Sequence, residues 1–228
     1  MRFRPMLALA VLAAAPVAAQ AQRYYPPPPP HYRSGPRETG LYVGGKLGLG
    51  FPTGDLSGDV GAMSDTVGAK VPFGFEFGLR LNRNIRIGIF GDLGPAGVKD
   101  QVCATGSCSA LDSRLGAEVQ LHLAPFTQTD PWLGAGLAYE WLSDNGIGVV
   151  DPTTGQTYVV DETWSGAQFV LEGGVDFPVA PAFTVGPYLD LEIGRFGSYS
   201  ASGAGSYSIG ATSTHTWVTI GVKGTFLL

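Results

Sequence analysis

Residues 71–82 constrain the fold most, because their apolar and polar positions alternate with a period of two. The stretch reads V-P-F-G-F-E-F-G-L-R-L-N, so the odd positions are apolar and most even positions are small or charged. Only a β-strand separates such a pattern into two faces. A soluble sheet would bury the bulky face in a shared core, whereas a closed barrel in a bilayer turns that face to lipid and its polar face to the lumen. The stretch therefore predicts a membrane barrel if the remaining chain supplies enough similar strands.

Seven further segments repeat this alternation, which gives eight in total. Each covers about 10 to 13 residues, and at a rise near 3.3 Å and a tilt of roughly 40° that length spans the apolar band of an outer membrane. The sequence therefore predicts an all-β fold over residues 41–228, an eight-stranded antiparallel up-and-down transmembrane β-barrel. With residues 71–82, the predicted strands are 41–51, 85–93, 111–123, 132–142, 164–177, 183–196 and 215–228.

The connections between these segments alternate between long and short. The long loops are 52–69, 95–110, 143–163 and 197–214, and the short turns are 82–84, 124–131 and 178–182. Outer-membrane barrels have short periplasmic turns and long extracellular loops. We therefore expect the outer membrane of a Gram-negative bacterium, with long loops extracellular and both termini periplasmic. Aromatic residues near the strand ends predict two interfacial girdles, formed by Phe51, Phe73, Trp132, Trp141, Trp164, Phe177, Phe183, Trp217 and Phe226.

Two segments precede the predicted barrel. Residues 1–21 combine a basic start, an apolar block and an A-x-A site, so they predict a secretory signal peptide cleaved after Ala19 or Ala21. Residues 22–40 contain five consecutive prolines and predict an extended Pro-rich periplasmic tether, which is either a spacer or a segment that contacts the cell wall. The net charge of −5 argues against nucleic acid as a partner.

The inward face of the predicted barrel carries charges of both signs. These could form a conduction pathway, a catalytic carboxylate group or a closed network of ion pairs. An eight-stranded barrel is barely wide enough for its own side chains, and unpaired charges in it would be strongly unfavourable. We therefore predict a cross-strand ion-pair network that closes the lumen. Its members are Lys46, Glu76, Arg80, Arg86, Asp92, Arg114, Glu118, Glu140, Glu172, Asp176, Asp190, Glu192 and Lys223.

Within that set, Arg80 and Arg86 flank the short turn 82–84 and should lie side by side. Two neighbouring cations need acids close by. The inward carboxylates nearest the same end of the barrel are Asp176 and Glu118, and we expect them to be the partners.

The histidines and cysteines point to structure rather than chemistry. His122 and His215 face inward, but neither has a sequence-fixed nucleophile and acid around it, and the scattered histidines predict no catalytic, metal or cofactor site. Cys103 and Cys108 form a C-x4-C pair in the second long loop. In an exported protein such a pair predicts a local disulfide that stiffens the loop more than it stabilises the barrel.

The alternation, the loop asymmetry and the final T-I-G-V-K-G-T-F-L-L resemble the small eight-stranded outer-membrane β-barrel superfamily, which includes OmpA-like transmembrane domains and OmpW-like proteins. The resemblance covers residues 41–228. It implies contact with outer-membrane lipids and lipopolysaccharide, and recognition of the last strand by the barrel-assembly machinery. The family's last strand usually ends in an aromatic residue; here Leu228 is last and Phe226 precedes it by two positions.

Three functions are compatible with this resemblance. The first, which the paired lumen charges favour, is a non-enzymatic barrel with a structural or surface-interaction role. The second is a narrow channel or a hydrophobic-solute passage of the OmpW kind. The third is a barrel enzyme that acts on lipid A. No motif in the long loops identifies an extracellular ligand.

Overall fold

The structure is a computed structural model that describes residues 38–58, 60–103, 108–150, 154–203 and 205–228. The predicted signal peptide and residues 22–37 of the predicted tether lie outside this part of the chain, and both stay predictions. Within the described residues the chain forms eleven β-strands and one short helix. They are β1 (Gly40–Ser57), β2 (Gly61–Ala62), α1 (Met63–Thr66), β3 (Val67–Lys70), β4 (Phe73–Arg80), β5 (Ile85–Val98), β6 (Ser109–His122), β7 (Asp130–Val150), β8 (Thr157–Ala180), β9 (Phe183–Ala201), β10 (Gly205–Ser208) and β11 (His215–Leu227). No helix in these residues is long and apolar enough to span a membrane.

Eight of the strands close into a ring. Each strand pairs antiparallel with the next in the order β1, β4, β5, β6, β7, β8 and β9, then β11 follows β9 and pairs back with β1. Closure leaves no unpaired sheet edge in the ring, which a bilayer requires. The predicted eight-stranded antiparallel barrel is confirmed.

The second barrel strand is interrupted by Pro72, which lies between β3 and β4. Proline lacks the amide proton that a sheet ladder needs. Two hydrogen bonds carry the ladder across the gap: the Val71 amide donates to the Pro95 carbonyl at 3.0 Å, and the Gly48 amide donates to the Pro72 carbonyl at 3.1 Å. β3 and β4 therefore act as one barrel strand.

The two faces of the ring differ in chemistry as the alternation predicts. Large apolar side chains point outward, with Leu137 69% exposed and Phe75 50% exposed. Charged side chains point inward, and Glu76 is fully buried. A soluble sheet places these classes the other way round, so this arrangement is that of a lipid-facing barrel.

The strands continue well beyond the predicted segments at the long-loop end. β7 has 21 residues and β8 has 24, whereas the alternation predicted 132–142 and 164–177. Their pairing runs on past the predicted ends to Asp144 and Glu162, and resumes beyond a register shift. Much of the predicted third loop is therefore a continuation of the sheet.

An apolar plug fills the barrel at this end. Its residues are Leu56, Met63, Val67, Ala110, Leu142, Trp164, Phe196 and Trp217. Met63, in α1, reaches this cluster from the first long loop and is fully buried. The plug thus combines inward positions of the extended strands with one element that folds in from a loop.

The prediction of two aromatic girdles is wrong for three tryptophans. Trp132, Trp164 and Trp217 are buried, with exposed fractions of 1%, 5% and 0%. In the alternation along its strand, each of these tryptophans falls on the same face as the lumen residues. Position in the pleat decides which face of the sheet a side chain occupies. Exposed outward aromatics remain near both ends, namely Phe51, Phe73, Trp141, Phe177 and Phe226.

Candidate functional site

The lumen is the candidate site, and its first layer lies directly against the plug. The Lys70 ammonium is 2.5 Å from Asp112 and 2.8 Å from Glu192, and it lies 4.3 Å from the centroid of the Trp217 ring. The Thr219 hydroxyl donates to the other oxygen of Glu192 at 2.9 Å. Lys70 and Asp112 are fully buried, so each charge depends on the other for compensation.

A histidine pair completes that layer. The Nε2 atom of His215 lies 2.6 Å from Glu140, whose second oxygen accepts a hydrogen bond from the Trp217 indole at 3.0 Å. The His215 ring stacks on Phe196 with centroids 4.0 Å apart. The other ring nitrogen of His215 has no hydrogen-bond partner among the described residues. His215 is therefore held by Glu140 on one side and by Phe196 on its ring face.

Arg114 forms the centre of the second layer. Cross-strand register places it opposite Asp92, and the two side chains form a short ion pair. The same guanidinium lies 2.9 Å from Glu192 and 3.6 Å from Asp190. Gln168 accepts a further hydrogen bond from it at 3.4 Å. One arginine thus connects carboxylates from two other strands, β5 and β9.

In the third layer, two lysines balance the negative charge of the carboxylates. Lys46 lies 2.9 Å from Glu76, 2.5 Å from Glu172 and 3.5 Å from Asp190. Lys223 lies 2.7 Å from the other oxygen of Glu76. Each ammonium group thus lies within ion-pair distance of at least one of these carboxylates. The group is therefore an ion-pair cluster.

Glu118 also belongs to the third layer, but its hydrogen-bond donors are neutral side chains. It accepts hydrogen bonds from the Tyr42 hydroxyl at 3.2 Å and the Gln120 amide at 2.8 Å. The Gln120 amide oxygen accepts from Lys223 at 3.2 Å. No cation of the described chain lies within ion-pair distance of Glu118. The expectation that it compensates Arg80 or Arg86 is wrong, because Tyr42 and Gln120 are its hydrogen-bond partners instead.

The fourth layer lies at the short-turn end. Arg80 and Arg86 are direct cross-strand neighbours, as predicted, and Arg86 forms a loose ion pair of 3.7 Å with Asp176. His122 contacts Asp130 at 2.8 Å, and its second nitrogen has no hydrogen-bond partner in the described chain. This layer holds fewer close ion pairs than the three above it.

The structure places every predicted inward charge in the lumen, and their role in closing it stays a proposal. Sequence reasoning missed Lys70 because it lies just before the predicted strand 71–82, and missed Asp112 because the inward positions of the predicted strand 111–123 were taken only from Arg114 onward. Side chains two residues apart on a strand point to the same face. Lys70 precedes Pro72 by two residues and Asp112 precedes Arg114 by two, and Pro72 and Arg114 are inward positions. Continuing the alternation by one step would have found both residues.

The long-loop end outside the predicted spanning segments holds a second acidic site. Burial raises the pKa of Asp144 to about 7, and the neighbouring Glu162 contributes to that rise. The pKa of Tyr199 is also raised by burial and by its 2.8 Å hydrogen bond to Glu162. Neither Asp144 oxygen has a hydrogen-bond partner among the described residues. At this position the neutral carboxyl group is favoured.

The predicted disulfide is present in the second long loop. Cys103 and Cys108 are joined, and Cys103 also bridges to Ile147 on β7. The bond closes a ring that spans a sequence separation of 5. It therefore fastens a loop tip beside the extended sheet and makes no link across the barrel.

The closed ring, the apolar outer face and the charged lumen define a small eight-stranded β-barrel of the outer-membrane type. Solved structures share the fold. The outer membrane protein OprG from Pseudomonas aeruginosa is 13% identical with a TM-score of 0.53, and the alignment covers 84% of this chain and 98% of that one. A major outer membrane protein from Thermus thermophilus is 14% identical with a TM-score of 0.51, covering 83% and 99%. No protein-family model and no curated protein matches the sequence.

Proposed function

We propose that the protein is a non-enzymatic outer-membrane β-barrel with a structural or surface-interaction role and a lumen closed to ions. The observation that carries this proposal is the filled lumen: the layered ion pairs end against the apolar plug. Trp217 belongs to both, because its ring packs in the plug and its indole donates to Glu140. An apolar constriction opposes the passage of hydrated ions, so the plug supports a closed lumen.

The proposed location is the outer membrane of a Gram-negative bacterium, with lipids and lipopolysaccharide around the apolar outer face. An even number of barrel strands returns both ends of the barrel sequence to one side. Short turns lie on the periplasmic side in barrels of this type, so we place β1 and β11 as beginning and ending there. The extended strands and the plug then face the outside.

The proposal of a non-enzymatic role is supported by the surroundings of both lumen histidines. His215 contacts Glu140, and His122 contacts Asp130, but no serine or threonine hydroxyl of the described chain bonds either ring. General-base activation of a nucleophile needs such a contact or one that a substrate completes. The plug separates His215 from the long-loop side, so a substrate would have no access to it.

Recordings in planar lipid bilayers test the closed lumen. The unmodified protein is expected to give no steady conductance, because neither the plug nor the ion-pair layers leave room for hydrated ions. The double variant Phe196→Ala/Trp217→Ala removes two large inward rings of the plug and should increase current events. Large, steady conductance from the unmodified protein would contradict the proposal and favour the narrow channel.

The enzymatic alternative has its own test. The refolded protein is incubated with lipid A in detergent, and the lipid is then examined by mass spectrometry. We expect its mass to be unchanged. A product that has lost an acyl chain by hydrolysis, and that disappears in the His215→Gln or His122→Gln variant, would replace the structural role with catalysis.

A further inference from the structure

A cavity of about 470 Å³ occupies the short-turn mouth of the barrel. All three short turns and the end of β11 contribute to its wall. The wall is mostly apolar but includes a cluster of three arginines. Its lining includes Arg80, Arg83, Arg86, Phe126, Pro178 and Phe183. A concave apolar site with a few convergent charges is the usual form of a small-molecule site.

The arginines of this cavity lack strong partners. Arg86 is 4% exposed, yet its Nε and Nη1 atoms make no hydrogen bond to the described residues, and its ion pair with Asp176 is 3.7 Å long. Arg80 donates from Nε to the Glu38 carbonyl at 3.2 Å. The described residues place no side-chain carboxylate within ion-pair distance of Arg80 or Arg83. A buried guanidinium without hydrogen-bond acceptors is unfavourable, and an anion would relieve that cost.

The two acidic side chains of the cavity already have other partners. Asp130 is bound by the His122 ring at 2.8 Å and by the Ala124 amide at 3.1 Å. Asp176 accepts from the Thr184 hydroxyl at 3.2 Å. Neither aspartate therefore supplies the close acceptors that the Arg86 guanidinium lacks.

Phe126 gives the cavity an aromatic wall next to its charge. The Arg80 guanidinium lies 5.1 Å from the centroid of the Phe126 ring. Phe126 has a φ of 68°, a left-handed conformation that bulky residues rarely adopt. The turn holds the ring beside the guanidinium despite that strain. An arginine that packs its face on a ring keeps its edge free to bind a carboxylate in the plane of the guanidinium.

We propose that the short-turn mouth binds a small organic carboxylate with an apolar body. Arg80 and Arg86 hold the carboxylate, and the apolar body packs against Phe126 and Phe183. The carboxylate follows from the buried Arg86 guanidinium, whose Nε and Nη1 atoms lack acceptors among the described residues, and the apolar body follows from the rest of the lining. The site lies in the fourth layer, on the short-turn side of the three closely paired layers.

Calorimetric titration of the protein in phosphatidylcholine nanodiscs tests this site. The probe is 3-phenylpropionate, and the control ligand is the neutral 3-phenylpropanamide. We expect saturable binding of one carboxylate per barrel, and binding of the amide weakened about tenfold or more, because the charge-assisted hydrogen bonds are lost. Equal binding of both ligands, or no saturable heat up to about 10 mM carboxylate, would overturn the proposal.

Variants locate the binding in this cavity. Arg80→Gln and Arg86→Gln should each weaken 3-phenylpropionate about tenfold. Arg195→Gln is the matched control, because Arg195 is an exposed arginine that bonds Thr214 at the other end of the barrel. Its dissociation constant should not change.

Ala180→Trp leaves the charge unchanged and fills part of the cavity, so it should also abolish binding. Heat-modifiable gel mobility confirms that each variant is folded. Undiminished binding in Ala180→Trp, or in both glutamine variants, would overturn the proposed location.

Discussion

At the long-loop mouth the inward positions carry Trp164, Phe196 and Trp217, whereas at the short-turn mouth they carry Arg80 and Arg86. The strands continue past the predicted spanning segments at the first mouth and enclose a volume that apolar side chains fill. At the second mouth they end at short turns beside an open cavity. The buried Lys70 next to the plug has two close carboxylates, but the two buried arginines at the cavity have one loose carboxylate partner between them. Close ion pairing therefore accompanies the apolar plug and not the cavity.

The largest expected effect is a difference in the free energy of unfolding when one cation is removed at each mouth. Lys70→Met leaves Asp112 without its buried partner and should destabilise the barrel by about 3 to 5 kcal/mol. Arg86→Met removes a buried guanidinium that lacks close acceptors, so it should cost less than about 1 kcal/mol, because the unfavourable burial of an unpaired charge is removed as well. Urea unfolding in lipid vesicles, followed by tryptophan fluorescence, measures both. Equal losses would mean that the difference in ion pairing does not distinguish the two mouths.

A matched pair of aromatic truncations sharpens the comparison. Phe196→Ala leaves a cavity in the plug beside His215 and should cost about 3 kcal/mol. Phe126→Ala at the open mouth removes a half-exposed ring and should change the free energy of unfolding by less than about 1 kcal/mol. The same unfolding assay applies. A larger loss for Phe126→Ala would show that the short-turn mouth is the more tightly packed one.

The third prediction uses the pH dependence of Asp144 at the long-loop mouth. Its pKa in the folded protein is raised from 3.8 to about 7, so the folded state favours the protonated form and loses stability as pH rises through that window. Asp144→Asn should therefore stabilise the protein by roughly 4 kcal/mol at pH 8, and most of the difference should be gone near pH 4. Unfolding at both pH values checks the sign. A stabilisation that persists at pH 4 would rule out titration of Asp144 as its cause.

The smallest effect concerns the disulfide. Cys103→Ser/Cys108→Ser opens a ring at a loop tip, and such a loop can open locally without disrupting the barrel. The free energy of unfolding should fall by less than about 1 kcal/mol. Mass spectrometry of the exported protein should find no free thiol before reduction. A large loss of stability would show that the second loop supports the plug.

The sequence predicts the strands and the lumen charges well because one physical rule governs both. In a closed barrel every strand has one lipid face and one lumen face, so a period of two specifies the direction of each side chain. That rule placed Arg114 and Lys223 correctly. It would also have placed Trp132 and Trp217 inside, but the preference of tryptophan for interfaces was given priority over position in the pleat.

The alternation of apolar and polar residues could not predict the apolar plug. Leu56 and Met63 belong to a segment without alternation, and their burial depends on a loop that folds back into the barrel. The arginine cavity could not be predicted from the sequence for a related reason. It forms from three turns that are far apart in sequence, and the conformation of Phe126 is set by its turn rather than by a pattern.

The lumen contacts join residues that are distant along the chain. Lys46 and Glu172 are separated by 126 positions, and Trp217 and Glu140 by 77. Contacts of such high sequence separation form late, because loop closure must precede them. Interactions absent from the folding transition state act mainly on the rate of unfolding. We therefore expect the lumen network to prolong the lifetime of the inserted barrel while leaving its rate of assembly nearly unchanged.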